Sequence, residues 1–309
     1  MKNWLKKLAT TCAIVAFSSS AMLPTAHAAE PAAAAVPATT DVDPALWVVK
    51  DKDTTIYLFG TVHVLKPGLG WFDEAVKTAF DKSDQLMLEM VMPDDQAAML
   101  KEMMPLAIDQ SGKTLSSRLD AEQLKAYQAA LASLGIAPAQ FDMFEPWFPA
   151  MTLSVLPLTK LGYDPEQGVE KLLTASAKKS GKSVAGLETL SQQLGFFDAL
   201  PETQQIAFLN SVVKDLDKLG PQLDKMVLLW AKGDPDALAV TMNESLAATP
   251  ELAATLLWDR NARWADQLKA RMDQPGTVFV AVGAGHLAGA KSVQDYLKAR
   301  GLVAKRVKY

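Results

Sequence analysis

Two apolar runs of β character stand near opposite ends of the chain, and each runs into the same pattern, Gly-x-x-His. The first is Tyr57-Leu58-Phe59-Gly60-Thr61-Val62-His63, and the second is Val278-Phe279-Val280-Ala281-Val282-Gly283-Ala284-Gly285-His286. A strand that closes on glycine can deliver the next side chains to the open end of a sheet, where α/β proteins build their sites. If both runs enter one sheet, that sheet is assembled from both ends of the chain, with long helical insertions between them. The 309 residues hold 3 histidines. The third, His27, falls in a segment that reads as a leader, so the matched pair is the main chemical lead.

That leader is read from order and composition. Lys2, Lys6 and Lys7 precede an apolar stretch from Leu8 to Leu23, and Ala26-His27-Ala28 supplies a small-x-small cleavage site. This is the layout of a secretory signal peptide over residues 1–28, which predicts a periplasmic or secreted protein. Ser18-Ser19-Ser20 interrupts the stretch, which argues against a retained anchor. Cys12 lies too early in the run to be a lipidation site. Removal of the leader takes the only cysteine with it. The mature chain then has no disulfide, no Cys-ligated metal and no thiol nucleophile. Subtracting the leader's three lysines from 31 Lys+Arg, against 35 Asp+Glu, leaves a net charge of −7, which favours neither nucleic acid nor an anionic membrane surface.

Residues 29–43, rich in Ala and Pro in their first part, read as a flexible tether, and residues 44–309 as a single domain. Trp47–Val49 and Thr54–Phe59 flank a polar turn at Asp51-Lys52-Asp53, the signature of a β-hairpin. A helix is expected over Phe72–Lys82 and strands over Gln85–Met90, Ser183–Leu187, Thr277–Val282 and Leu302–Lys308, with a helix over Lys291–Arg300. From Asp94 to about Leu173, and again from Ser191 to Met272, the pattern is helical. Asp120 with Gln123 marks a helix start, and Gly135 its stop. Phe144–Leu161 is strongly apolar, but Pro146, Pro149 and Pro157 point to a core helix or a ligand groove rather than a span. The fold class expected is α/β with α+β character. A central mixed sheet is built from N- and C-terminal strands, with large helical insertions.

Neutral imidazole is the commonest metal ligand, and carboxylates complete oxygen- and nitrogen-rich sites. Glu89 lies inside the apolar run Gln85–Val91, where a buried carboxylate needs a partner. On a central strand it is a candidate ligand or water-activating base, and on an edge strand it simply faces water. Glu188 closes the strand after Gly186-Leu187 and is either a ligand, an orienting carboxylate or an acid beside the N-cap Thr189. Arg260, in Trp258-Asp259-Arg260-Asn261-Ala262-Arg263-Trp264, suits an oxyanion or a substrate carboxylate, or else belongs to a solvated helix face. The Gly283–Gly289 turn has the wrong spacing for a dinucleotide site, and neither a Gly-x-Ser-x-Gly element nor a phosphate loop occurs.

At Phe59-Gly60-Thr61-Val62-His63, Leu88-Glu89, Gly186-Leu187-Glu188-Thr189, Arg260-Asn261 and Val282-Gly283-Ala284-Gly285-His286-Leu287 the chain resembles the TraB/PrgY/GumN family, which includes the Tiki proteases. More distant kin are the erythromycin esterases and ChaN-like proteins. The resemblance runs from about Pro44 to the C-terminus. It implies that His63 and His286 hold the reactive centre, that Glu89 works with them, and that Arg260 and Glu188 occupy motif positions.

The expectation is an exported hydrolase acting on peptide bonds or a small-molecule substrate. A divalent metal (Mn, Co or Zn) would be held by His63, His286, Glu89 and Glu188, with Glu89, His63, His286 and Arg260 in catalysis. A haem- or metal-binding protein without turnover, as ChaN-like kin suggest, and a metal-independent hydrolase, as the esterases suggest, are the alternatives. No nucleic-acid partner and no membrane span after leader cleavage are expected.

Overall fold

The computed structural model describes residues 39–246 and 250–308. The leader, its cleavage site and most of the proposed tether lie outside the described residues. The last part of that tether is fixed to the domain. Thr40–Asp41 (β1) pairs in parallel with Leu69–Gly70 (β4), through Thr40 N–H to the Gly68 carbonyl at 2.7 Å.

The main sheet has six strands, β2 (Leu46–Lys50), β3 (Thr54–Thr61), β5 (Gln85–Met90), β6 (Ser183–Glu188), β7 (Gly276–Gly283) and β8 (Lys305–Arg306), in the order β6-β5-β7-β3-β2-β8. Strands β6, β5, β7 and β3 run parallel, β2 is antiparallel to β3, and β8 is antiparallel to β2. The sheet is thus mixed and assembled from both ends of the chain. β7, one of the last strands made, sits between β5 and β3. The final strand is shorter than the apolar pattern of Leu302–Lys308 suggests, because only Lys305 and Arg306 pair with β2, with Val307 N–H adding one bond to the Leu46 carbonyl at 2.9 Å.

Both faces of the central strands are covered, so they read as unbroken apolar runs. Val278, Val280 and Val282 of β7 join Ile56 and Leu58 of β3 in one cluster, beneath Trp264, Leu268, Val293 and Leu297. The alternate residues Phe279, Ala281 and Phe59 join Trp71, Phe80, Val169 and Trp230 on the other face. The period of two along each strand therefore divides its side chains between two cores.

The helices follow in chain order. The first three are α1 (Glu74–Lys82), α2 (Gln96–Ala107) and α3 (Leu115–Arg118), and then come α4 (Ala121–Ser133), α5 (Trp147–Lys160) and α6 (Val169–Lys179). After β6 there are α7 (Leu190–Asp198), α8 (Glu202–Lys214), α9 (Leu219–Ala231), α10 (Pro235–Leu246), α11 (Pro250–Ala253) and α12 (Asp259–Arg271), and α13 (Val293–Ala299) follows β7. The first helix starts two residues later than Phe72, which instead packs its ring on Trp71 and Phe80. Asp120 and Gln123 form the reciprocal capping box of α4, and Gly135 beyond its end takes a φ of +76°. The apolar stretch around Phe144–Leu161 forms α5, which buries Trp147, Phe148 and Leu153 in the core of the helical block. No helix among the described residues is long and apolar enough to cross a membrane.

Candidate active site

Four parallel strands point their C-terminal ends the same way. Along that edge lie Glu188 at the end of β6, Glu89 near the end of β5, Gly283 closing β7, and Thr61 closing β3. His63 follows β3 by two residues, and His286 sits in a 3₁₀ turn (Ala284–Leu287) directly after β7. The β3–β7 pairing aligns Gly60 with Val282 and Thr61 with Gly283, so the two Gly-x-x-His segments leave the sheet side by side.

Neither motif glycine has a positive φ. Their role is space. A Cβ on Gly60 would lie 3.0 Å from the Cα of Ala284, so its absence lets the two loops touch. A Cβ on Gly283 would lie 3.0 Å from Glu89 Oε1, 3.7 Å from His286 Cδ2 and 3.8 Å from His63 Nε2. One point beside Gly283 is therefore within 4 Å of both imidazoles and the carboxylate.

Arg260, in the first turn of α12, is the hub of the buried part. Its Nε donates to Glu188 Oε2 at 3.0 Å, and its Nη2 donates to Glu188 Oε2 at 2.8 Å and to Glu89 Oε2 at 2.6 Å. Its Nη1 donates to the Leu256 carbonyl at 3.0 Å and faces His286 Nε2 at 3.3 Å. With its donors all spent inside the protein, Arg260 has none left for an oxyanion or a substrate carboxylate, and it touches Glu89 and His286 instead. A π-helical turn (Ala254–Trp258) precedes it and brings the Leu256 carbonyl under the guanidinium. Gln193 of α7 donates to both carboxylates, at 3.1 Å to Glu89 and 3.2 Å to Glu188. The backbone N–H of Gly283 donates to Glu89 Oε1 at 2.7 Å.

The two histidines are held in opposite charge states. Asn261 donates its Nδ2 to the Lys291 carbonyl at 2.8 Å, which turns its Oδ1 toward His286 Nδ1 at 2.6 Å. Nδ1 therefore carries the proton, and Nε2 presents a lone pair to Arg260. Burial against Trp264 keeps this ring neutral, with a pKa lowered from 6.5 to about 4. His63 is 71% exposed, and its Nδ1 lies 2.6 Å from Glu170 Oε1. The Glu170 charge raises its pKa from 6.5 to about 9, so His63 is an imidazolium at neutral pH. Thr61 adds its hydroxyl to the same Glu170 oxygen. Burial works against ionisation of Glu89 but is outweighed by His286 (once it is protonated in acid), Arg260, His63 and the Gly283 N–H, which lower its pKa from 4.5 to about 2.

Glu170 carries no sequence signal beyond being an acid in the first turn of a helix. Its placement is tertiary. Val169 N–H bonds the Val62 carbonyl at 3.1 Å, and a Cβ on Gly168 would come within 2.2 Å of the His63 carbonyl oxygen, so α6 abuts the His63 loop. Asn261 lies beside a recognised arginine, but its function depends on Lys291, a long-range contact. Gln193 is likewise visible only in three dimensions. The structure brings His63, Glu89, Glu188, Arg260 and His286 into this one pocket. None of these residues lines the groove of about 840 Å³ between α4 and α8.

A divalent ion on His63, His286, Glu89 and Glu188 was one expectation. Glu188 is engaged by Arg260 and Gln193, and the His286 lone pair faces a guanidinium nitrogen. Among the described residues no group of three or more His, Cys, Asp or Glu side chains is disposed to hold a metal. As arranged, the donor set does not fit a dication, because the guanidinium stands where its charge would be needed.

The molecule is therefore an α/β protein with a charged His/Glu/Arg pocket at the C-terminal edge of a mixed sheet assembled from both chain ends. The family model for TraB/PrgY/gumN matches residues 45–306, and the chain belongs to that family. It is 26% identical over 255 residues to the uncharacterized protein YbaP of Escherichia coli (strain K12), covering 82% of this chain and 92% of that one. YbaP of Shigella flexneri matches to the same extent. An uncharacterized protein of Treponema pallidum (strain Nichols) is 24% identical over 274 residues, covering 83% of this chain and 81% of its own length.

Proposed function

We propose that this protein is an exported hydrolase of peptide bonds that activates water between Glu89 and His63. The observation that carries the reading is the pairing of opposite charge states at one point of access. Glu89 is ionised, and His63, the one exposed member of the pocket, is protonated and backed by Glu170. A base and an acid are thus both in the form that hydrolysis requires at neutral pH. Water held by Glu89 Oε1 bonds to the substrate carbonyl carbon and gives its proton to Glu89. As the C–N bond breaks, His63 Nε2–H protonates the leaving nitrogen. The proton on Glu89 then passes to His63, which the Glu170 charge makes the stronger base, and the pair is reset. His286, neutral and fixed by Asn261, and Arg260 hold the base in place.

A metal-dependent form is the second reading. It is favoured by the 3.6 Å between His286 Nε2 and Glu89 Oε1, a separation that two ligands of one ion accommodate. It requires Arg260 to withdraw.

The test is turnover of a fluorogenic peptide library by the purified protein lacking residues 1–28. His63→Ala and Glu89→Gln are each expected to lose about 100-fold or more in rate. Turnover equal to that of the wild type in both variants overturns the reading. Chelator-sensitive activity restored by Mn, Co or Zn selects the metal-dependent form. A haem absorption band that depends on His63, with no turnover, moves the protein to the binding class.

A further inference from the structure

Arg263 stands one helical turn beyond Arg260 and is used differently. Its guanidinium lies over the Phe196 ring, 4.9 Å from the centroid, and its Nη2 is 3.8 Å from Glu188 Oε1, beyond hydrogen-bond reach. The side chain is 49% exposed, and among the described residues its N–H groups make no hydrogen bond. Glu188 takes its hydrogen bonds from Arg260, which shares its single charge with Glu89, so Arg263 adds a long ion pair to Glu188 while its N–H groups stay free of hydrogen bonds. A guanidinium held over an aromatic ring, with N–H groups free of hydrogen bonds, is placed to take a planar anion through two parallel N–H bonds.

Its position on the sheet edge adds direction. The strand order β6-β5-β7-β3 puts Glu188, Glu89, Gly283 and His63 in a row, with Arg263 over the β6 end and His63 over the β3 end. Strands are spaced about 4.8 Å apart, so the row spans roughly 14 Å, the reach of about four extended residues.

From this the geometry points to Arg263 and Phe196 as a carboxylate-binding subsite that anchors a peptide substrate by an acidic group two to three residues from the bond cut at Glu89 and His63. A terminal carboxylate and an acidic side chain share the chemistry. The proposal rests on the hydrolase reading and gives it a substrate class, short peptides with a negative charge on one side of the cleaved bond.

The test begins with binding, which needs no turnover. An acetylated tripeptide with a free terminal carboxylate is titrated by calorimetry against the wild-type protein, Arg263→Gln and Arg263→Lys, with its terminal amide and an amidated tripeptide bearing one internal Asp as further probes. Wild type is expected to prefer a carboxylate-bearing probe over the neutral amide by about 10-fold. That preference is expected to vanish in Arg263→Gln and to be partly kept in Arg263→Lys, which retains charge but not the planar fork. Which probe is preferred assigns the anion to the terminus or to a side chain. Unchanged melting of the variants excludes misfolding as the cause. With a cleaved peptide, Arg263→Gln should raise KM for the acidic substrate and leave kcat alone. Equal affinity for acid and amide in wild type, or equal binding in Arg263→Gln, overturns the subsite. Arg263-dependent binding without hydrolysis of any peptide leaves the subsite standing and removes the hydrolase reading. Hydrolysis indifferent to Arg263 does the reverse.

Discussion

His63 and His286 share a sequence pattern and differ in environment, so they depend on pH in opposite ways. His63 has a folded pKa raised above its unfolded value of 6.5. Its pairing with Glu170 therefore stabilises fully below pH 6.5 and is lost as pH rises through about 9. Exposure lets solvent screen the pair, so the effect on stability is small and the effect on titration is the useful readout. An NMR titration should place the His63 midpoint above 6.5 and move it down toward that value in Glu170→Gln. A wild-type midpoint at or below 6.5 would remove its role as acid. His286 has a folded pKa depressed to about 4, so its stabilisation is present above pH 6.5 and fades as pH falls toward 4. Asn261 is almost completely buried and holds that ring by its protonated nitrogen. Asn261→Ala leaves a buried donor unpaired and should cost about 1–3 kcal/mol in urea unfolding at pH 7. Lys291, whose carbonyl orients Asn261, adopts a φ of +59° that few non-glycine residues tolerate, a local strain placed where it fixes the imidazole.

Among the elements, the π-helical turn ahead of α12 and the ion cluster of the helical block make separable predictions. The extra residue in the turn sets the rotational phase between α11 and Arg260. Deleting one residue from Ala254–Trp258 should restore an α-helix and swing preceding residues about 100° around the axis, taking the Leu256 carbonyl away from the guanidinium. The expected result is loss of activity with an unchanged circular dichroism spectrum. Retained activity would mean that this turn has no part in setting the site. Far from the pocket, the buried Arg118 pairs with Asp109 and with Glu145 at 2.9 Å, joining α3 to the loops on either side of the Ile108–Phe144 bridge. Arg118→Ala strands two acids and should destabilise by about 3–5 kcal/mol, measured by denaturant melts. Elements whose cues are local were legible in the sequence. The β2–β3 hairpin turns on Asp51 to Asp53, the capping box of α4 is spelled by Asp120 and Gln123, and β5 is bounded as its apolar run suggests. The terminal strand was overestimated because Leu302 and Val303 have strand character but no partner strand.

For the molecule as a whole, the convergence of strands from both ends was readable from where the apolar runs fall, and strand order was not. Nothing in Thr277–Val282 says that it separates β5 from β3, because that depends on which faces the helices cover. The same limit hid Glu170, which becomes a partner of His63 only when α6 docks on the loop after β3. It also hid the full engagement of Arg260, whose five donors are spent on residues from four separate segments. A chain ended at Pro275 lacks β7 and leaves β5–β6 unattached to β2–β3. Such a chain is expected to be protease-sensitive, without the melting transition of the full protein. A folded, cooperative fragment would contradict that central placement.

The middle position of β7 also governs timing during biosynthesis. Ribosomes make the N-terminus first, yet the strand that seats Glu89 between the two imidazoles emerges after nearly everything else. An incomplete polypeptide thus lacks the strand that joins β5, with Glu89, to β3, which leads to His63. Whatever chemistry this pocket performs therefore waits until β7 has been made and inserted between its neighbours.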